Sequence, residues 1–409
     1  MVEPKIRFKR DDGSSYPDWE EIKLCDIATR ITRKNTNNET DRPLTIASIE
    51  GLVDQRSYFG KTIASKDMSG YYLLKKGEFA YNKSYSVGYD YGSIKRLDKY
   101  DLGALSTLYI CFELKNNIDS DFYNCYFNGL SWYSQMAEIC AEGARNHGLL
   151  NVSPNDFFHI KLSVPSSKEE QQKIANFLLT VDEVISASEE EVANFETQKK
   201  AVMQKIFSQQ VRFKKPDGTD FPDWEMKNLG TVADIVSGGT PDTENQEYWD
   251  NGVYYWFTPS EVGNTKYVYK SKRMISSLGL AKSSAKLLPK GSLLLTSRAT
   301  VGEISIAGVE CCTNQGFQSL IVHDDVDAMF IFYNQPIIKN YAMKNAAGST
   351  FIEISGKNLS KCPLMIPCIE EQHIIADFLS NFDEAIAAAK KELELWKELK
   401  KGLLQQMFV

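Results

Sequence analysis

Proline is scarce in this chain and never doubled: 13 residues in 409, with no Pro-Pro. An amino-methyltransferase holds its target nitrogen in a polar-Pro-Pro-aromatic loop, so that chemistry has no foothold. Histidine is scarcer still, with four residues not spaced as ligands. The eight cysteines (Cys25, Cys111, Cys125, Cys140, Cys311, Cys312, Cys362, Cys368) never form C-x-x-C. They are read as scattered reduced thiols, and no metal site is expected. No run of eighteen apolar residues occurs, and the opening MVEPKIRFKRDDG lacks an apolar h-region. Neither a membrane span nor a signal peptide is expected, and the expected location is the cytoplasm.

Also missing are the G-x-x-x-x-G-K-[ST] phosphate loop, the G-x-G-x-x-G fingerprint and H-E-x-x-H. Gly238-Gly239-Thr240-Pro241 is Gly-rich, but two glycines before a proline mark a turn. Pro17-Asp18 with Glu21-x-Lys23, and Pro222-Asp223 with Glu225-x-Lys227, imitate the PD…(D/E)xK set of metal-dependent nucleases. A site of that kind needs carboxylates from neighbouring strands converging on one hard cation, and these lie too close together for a second strand to turn back. No catalytic residue is assigned.

A surplus of positive charge is absent as well, the formal net charge being −7. Six of the seven negative charges fall on residues 166–210 and 367–409. Taken alone, net charge leans against a nucleic-acid partner. The remainder is close to neutral, which permits a basic face without showing one.

What is present is a long repeat. Ile174, Leu178, Val181, Ile185, Ser188, Val192, Phe195, Lys199, Val202 and Ile206 step by four and three in alternation, the seam of a coiled-coil helix. Shifted by 201 residues, the seam returns as Ile375, Leu379, Phe382, Ile386, Ala389, Leu393, Trp396, Lys400, Leu403 and Met407. Each helix is the simplest partner for the other, giving a rod of roughly 60 Å. The seam does not fix direction. An antiparallel pair is expected because it would bring the C-terminus back beside residues 1–20. Lys199 and Lys400 are read as register or partner-facing positions, since a buried lysine is costly.

The repeat extends into what precedes each helix. Arg7-Phe8-Lys9-Arg10-Asp11-Asp12-Gly13, then Tyr16-Pro17-Asp18-Trp19-Glu20, returns as Arg212-Phe213-Lys214-Lys215-Pro216-Asp217-Gly218, then Phe221-Pro222-Asp223-Trp224-Glu225. Asp-Gly after basic residues predicts a tight hairpin. Leu24, Ile27 and Ala28 match Leu229, Val232 and Ala233 as the start of a short helix. Leu73 to Gly77 matches Leu287 to Gly291 as a loop ahead of an apolar strand, and Ser153 to Pro165 matches Ser355 to Pro367 as a turn and strand closed by proline. Alternating stretches (Leu105 to Glu113; Gly316 to Val322) and helical ones (Phe122 to Ala141; Met329 to Lys344) make each unit α+β. The division is 1–165 and 211–366 as globular domains, with 166–210 and 367–409 as long helices. Residues 30–70 and 90–145 do not align with 234–285 and 304–347, so one scaffold carries two surfaces.

Those surfaces hold side chains suited to nucleic acid. In the first domain they are Lys34 and Asn35, then Lys83, Ser84 and Tyr85, then Arg145. In the second they are Ser297, Arg298 and Thr300, then Asn314 and Gln315, then Lys357. Arg, Lys, Asn and Gln pair with base edges in the major groove, and hydroxyls and Lys serve phosphates. A solvated loop is the competing reading of any one cluster, and recurrence of the Lys83–Gly88 and Ser297–Gly302 loops at one scaffold position favours contact. Trp19 and Trp224, at a repeated position leading into a helix, are read as core anchors rather than base-stacking platforms.

Glu169-Glu170-Gln171-Gln172-Lys173-Ile174-Ala175 and Glu370-Glu371-Gln372-His373-Ile374-Ile375-Ala376 each stand behind a Pro-closed strand. With the twin Pro-Asp-Trp-Glu phrases, Ser237 to Pro241, Ser297 to Gly302 and Thr313 to Gly316, they make the chain resemble the specificity (S) subunit of Type I restriction-modification systems. The resemblance covers essentially the whole chain. It implies two target-recognition domains, each reading half of a bipartite sequence in double-stranded DNA, and helices that set the spacer and dock two modification (methyltransferase) subunits. Restriction subunits would join that core. S-adenosylmethionine, ATP and Mg²⁺ would belong to those partners, and this chain would bind no cofactor itself. Residues 30–145 lack the Gly-Gly-Thr-Pro and Asn-Gln-Gly phrases of the second domain. The other reading is a protein-binding coiled-coil scaffold with two divergent partner-binding domains, whose contacts would lack the steep salt dependence of a phosphate complex.

Overall fold

The computed structural model describes residues 3–61, 63–140, 150–348 and 352–409. Two helices dominate, Lys168–Phe207 with 40 residues and Ile369–Met407 with 39. All twenty seam positions are buried or half-buried, whereas most of their helical neighbours are exposed. The chain forms two compact units, Met1–Glu190 with Lys390–Val409, and Glu191–Ala389. Packing therefore groups the four sequence segments differently: each unit consists of one globular domain plus about half of each long helix.

In the first unit, Asp182 pairs with Lys400 and Glu189 with Lys397, so the two helices run antiparallel. The expected return of the C-terminus is also seen there, with the Ile6 amide donating to the Gln406 carbonyl at 3.0 Å. In the second unit the repeat-mates Lys199 and Asp383 form the corresponding ion pair. Asp383 also accepts from Lys266 at 3.1 Å and from the Tyr333 hydroxyl at 2.5 Å. The two seam lysines are thus held by charge across the helix pair within their own units.

Three short sheets build the first globular domain. Trp19–Lys23 pairs antiparallel with Lys161–Pro165 beneath the central helix. A four-stranded sheet runs Ala28–Arg30, Ile110–Leu114, Phe79–Asn82, Ser93–Arg96, and another runs Gly51–Asp54, Pro43–Ala47, Leu102–Leu105, Tyr72–Lys75. The main core lies where Phe79, Tyr81, Phe112, Phe127, Trp132 and Phe157 meet, with Met407 at the end of the C-terminal helix and Phe408 just after it closing the core.

The second domain repeats the base and changes the rest. Glu225–Asn228 pairs with Pro363–Ile366 as the counterpart of the first two-stranded sheet. Above it lie a five-stranded sheet (Ala233–Ser237, Gln318–Val322, Leu293–Leu295, Ile304–Ala307, Tyr267–Val268) and a three-stranded one (Arg273–Ile275, Tyr254–Phe257, Cys311–Thr313). Both domains are α+β.

The repeated motifs turn out to be scaffold. In Glu-Glu-Gln the first carboxylate stands at a helix N-terminus, where the dipole favours it. The second is fully buried: Glu170 accepts from Arg7 at 2.8 Å and the Trp19 indole at 3.4 Å, and Glu371 from Arg212 at 2.8 Å and the Trp224 indole at 3.0 Å. The glutamine amide donates to the carbonyl of the proline at or just after the end of the preceding strand, Gln171 to Pro165 and Gln372 to Pro367, both at 2.8 Å. Trp19 and Trp224 are core anchors, and their indole N–H groups serve the clamp. The Asp-Gly hairpins also form, Lys9 opposite Ser15 and Lys214 opposite Asp220, with Gly13 and Gly218 at φ of 83° and 84°.

Three local expectations are corrected. Leu105 to Glu113 is two strands and a turn rather than one alternating strand. The helical stretches each break in two, Ser120–Asn128 and Tyr133–Ile139 at Gly129, and Ala328–Tyr333 and Gln335–Asn345 at a junction followed by Pro336. Tyr72–Lys75 is a strand, so the turn before Gly77 is shorter than expected.

Candidate nucleic-acid interface

In the second unit three separate loops meet on the backbone of Ser297. Its amide donates to the Gly316 carbonyl at 2.7 Å, and its carbonyl accepts from the Ile354 amide at 3.2 Å. The segments around 296–302, 313–317 and 353–357 are therefore one surface. A fourth, 237–241, joins through the Gly239 amide, which donates to Thr313 at 2.9 Å, and through the Thr240 hydroxyl, which donates to the Gln315 amide oxygen. Close approach explains the glycines. A Cβ on Gly238 would lie 2.0 Å from the Asn314 carbonyl oxygen, and one on Gly316 would lie 2.8 Å from Pro259.

The predicted residues of this unit divide by position. Thr300, Gln315 and Lys357 are exposed and Asn314 half-buried. Asn314 uses its side-chain oxygen on the Gly316 amide at 2.9 Å, leaving its NH₂ outward. Arg298 is half-exposed but tied to Glu353 at 2.9 Å. Ser297 is a correction: it is fully buried, and its role is the backbone junction just described rather than contact with a ligand.

In the first unit the loop after Phe79–Asn82 is a small hairpin, the Tyr89 amide donating to Ser86 at 2.8 Å, with Gly88 at φ 80°. Tyr85 stands 58% exposed near its tip, and Ser84 is half-buried behind it. Lys83 is half-buried; burial, and then the charge of Arg30, push its amine below the ordinary lysine range. Neither Lys83 nor Arg30 has an ion pair among the described residues. The strand ending in Arg30 pairs with Ile110–Leu114, which also pairs with Phe79–Asn82; the register sets Arg30 and Phe79 on either side of Phe112, and Lys83 follows the far end of that strand. The Lys34 ammonium lies 3.8 Å from the Tyr72 ring centre, a cation–π contact that holds the charged head.

Asn35 is the second correction. It is fully buried, its amide donating to the Thr40 carbonyl at 3.0 Å and accepting from the Thr40 amide at 3.2 Å, so it closes a loop from within. Arg145 lies outside the described residues. Arg30 belongs to the polar run, suited to nucleic acid, that leads into Lys34 and Asn35, whereas Arg273 lies in no cluster that the sequence marks. Among the described residues no group of His, Cys, Asp and Glu could hold a metal ion, and no helix is long and apolar enough to cross a membrane.

Comparison with known proteins agrees with the doubled architecture. The family model described as the Type I restriction modification DNA specificity domain matches residues 16–194 and again 222–395. The MjaIX specificity subunit of Methanocaldococcus jannaschii is 34% identical over 208 residues, 50% of this chain and 48% of that protein, so the match spans about half of that relative. The putative MjaX specificity subunit of the same organism is 26% identical over 418 residues, covering 97% of this chain and 94% of that protein. Among solved structures, a chain from a study of complex assembly and conformational transition of the type I R-M system aligns with a TM-score of 0.61 at 19% identity, over 96% of this chain and 98% of that one. The S subunit from M. genitalium aligns with a TM-score of 0.54 at 15% identity, over 100% and 99%. Two matches to one family model, covering most of the chain and falling on the two halves of its repeat, place this protein in the Type I restriction modification DNA specificity domain family.

Proposed function

We propose that this chain is the non-catalytic, sequence-reading subunit of a Type I restriction-modification complex, each globular domain reading one half of a bipartite target in double-stranded DNA. The observation that carries the reading is the twofold family match on a scaffold whose repeated motifs are structural while its loops differ between domains. Side chains in those loops, Lys83, Tyr85, Arg298, Asn314, Gln315 and Lys357 among them, supply donors and acceptors for bases and phosphates. The long helices would set the spacer and dock two modification subunits, with restriction subunits completing the complex. S-adenosylmethionine, ATP and Mg²⁺ would be held by those partners.

The test is methylation mapping in a host that expresses this chain with and without its modification subunit. A bipartite adenine-methylated motif is expected only when both are present, and exchanging residues 30–145 should alter one half of it. A competent modification subunit whose motif is indifferent to this chain would refute the proposal.

A further inference from the structure

Residues 191–389 contain three arginines. Arg212 is engaged by buried Glu371, and Arg298 by Glu353. Arg273 is exposed and, among the described residues, has neither an ion pair nor a side-chain hydrogen bond. It is nevertheless held. Its guanidinium carbon lies 3.4 Å from the centre of the Trp249 ring and 5.8 Å from that of Trp256, the two indoles meeting edge to face.

The platform beneath it is itself fixed. The Trp249 indole donates to the Asp242 carbonyl at 2.9 Å, and the Trp256 indole to the Gly239 carbonyl at 2.9 Å. Across the three-stranded sheet Arg273 is opposite Trp256 and Trp256 opposite Cys312, one residue before the strand end that leads into Asn314 and Gln315. The sheet therefore places Arg273 beside the loops of the proposed interface.

Building on the DNA-reading proposal, we propose that Arg273, flattened on Trp249, reads a guanine through its O6 and N7 acceptors in the second half-site. Stacking on a rigid ring leaves the planar edge of a guanidinium free and reduces the side-chain entropy lost on binding. A bidentate arginine is the commonest specific partner of guanine. The surroundings distinguish a base from a phosphate: the segment that carries Trp249 also holds exposed Asp242, Glu244, Glu247 and Asp250. These repel a phosphate, whereas an uncharged guanine edge is accepted.

The experiment uses the full chain with its modification subunit, with methylation mapping and binding of the mapped duplex across a salt series. Arg273→Ala should relax the motif at one guanine of the second half-site, lowering discrimination there about 5- to 150-fold. The first half-site and the salt slope should stay unchanged. Arg273→Lys should not restore the guanine, and Trp249→Phe, which keeps a ring, should lose only part of it. An unchanged motif in Arg273→Ala overturns the inference. So does uniform weakening with a salt slope shallower by about one, which marks a phosphate contact. If the unsubstituted chain directs no motif at all, the DNA-reading proposal itself has failed, so the two failures are distinguishable.

Discussion

Arg212→Ala tests the buried clamp most directly. Glu371 is fully buried and accepts from the Arg212 Nη2 at 2.8 Å, its Nε at 3.3 Å and the Trp224 indole at 3.0 Å. Removing the guanidinium strands a carboxylate with one neutral donor. Breaking a fully buried pair costs about 3–5 kcal/mol, and the Arg212 side chain keeps 23% of its exposure, so water can reach the site from that side. The expected loss is about 2–4 kcal/mol, which for a unit of this size lowers its melting temperature by roughly 5–15 °C. Glu371→Gln keeps the volume and one acceptor oxygen, but turns the other acceptor into an NH₂ facing a donor and removes the charge assistance, about 1–3 kcal/mol. Urea unfolding gives the totals, and hydrogen exchange resolved by peptide should place the loss in residues 191–389. If Arg212→Ala cost less than Glu371→Gln, the carboxylate would be solvated and the clamp would not hold the unit. Arg7→Ala should act likewise on the first unit through Glu170.

Lys400→Glu should destabilise the first unit by about 1–2 kcal/mol by opposing Asp182, and adding Asp182→Lys should recover most of it; no recovery would contradict the antiparallel register. Lys95, 8% exposed and bonded to Asn128 at 2.6 Å, has its amine pushed down to about 8 by burial and then by the charge of Lys400, against the pull of Asp182. Its folded pKa lies below its unfolded value near 10.5, so its charged form weakens the fold at pH 7 and the penalty is relieved as pH rises from about 8 to 10.5. Lys95→Met should therefore stabilise at pH 7, by about 1–2 kcal/mol after the lost hydrogen bond, with the gain gone near pH 10.5; a gain independent of pH would exclude the titration.

The long helices were legible in the sequence because their signal is local: ten seam positions recur at fixed steps, and a copy repeats them after 201 residues. The hairpins and the two tryptophan anchors were legible for the same reason. The helix breaks at Gly129 and before Pro336 carried visible signals that the apolar pattern overrode.

The site was legible only as loops rich in suitable side chains. Asn35 and Ser297 have the right chemistry at the right places in the chain, yet they are buried, because burial depends on segments distant in sequence closing over them. Arg273 shows the reverse case. Nothing near it in sequence marks it, and its rigidity comes from Trp249, whose segment is tied to the end of the Arg273 strand by the Ser276 amide donating to Tyr248 and the Ser276 hydroxyl donating to Glu247. Sequence by itself determined the repeat, the helices and the family, since these rest on periodicity and on short motifs that clamp a helix start. Tertiary structure alone decided which polar side chains face outward and which arginine keeps its donors free, because both depend on contacts between residues far apart in the chain.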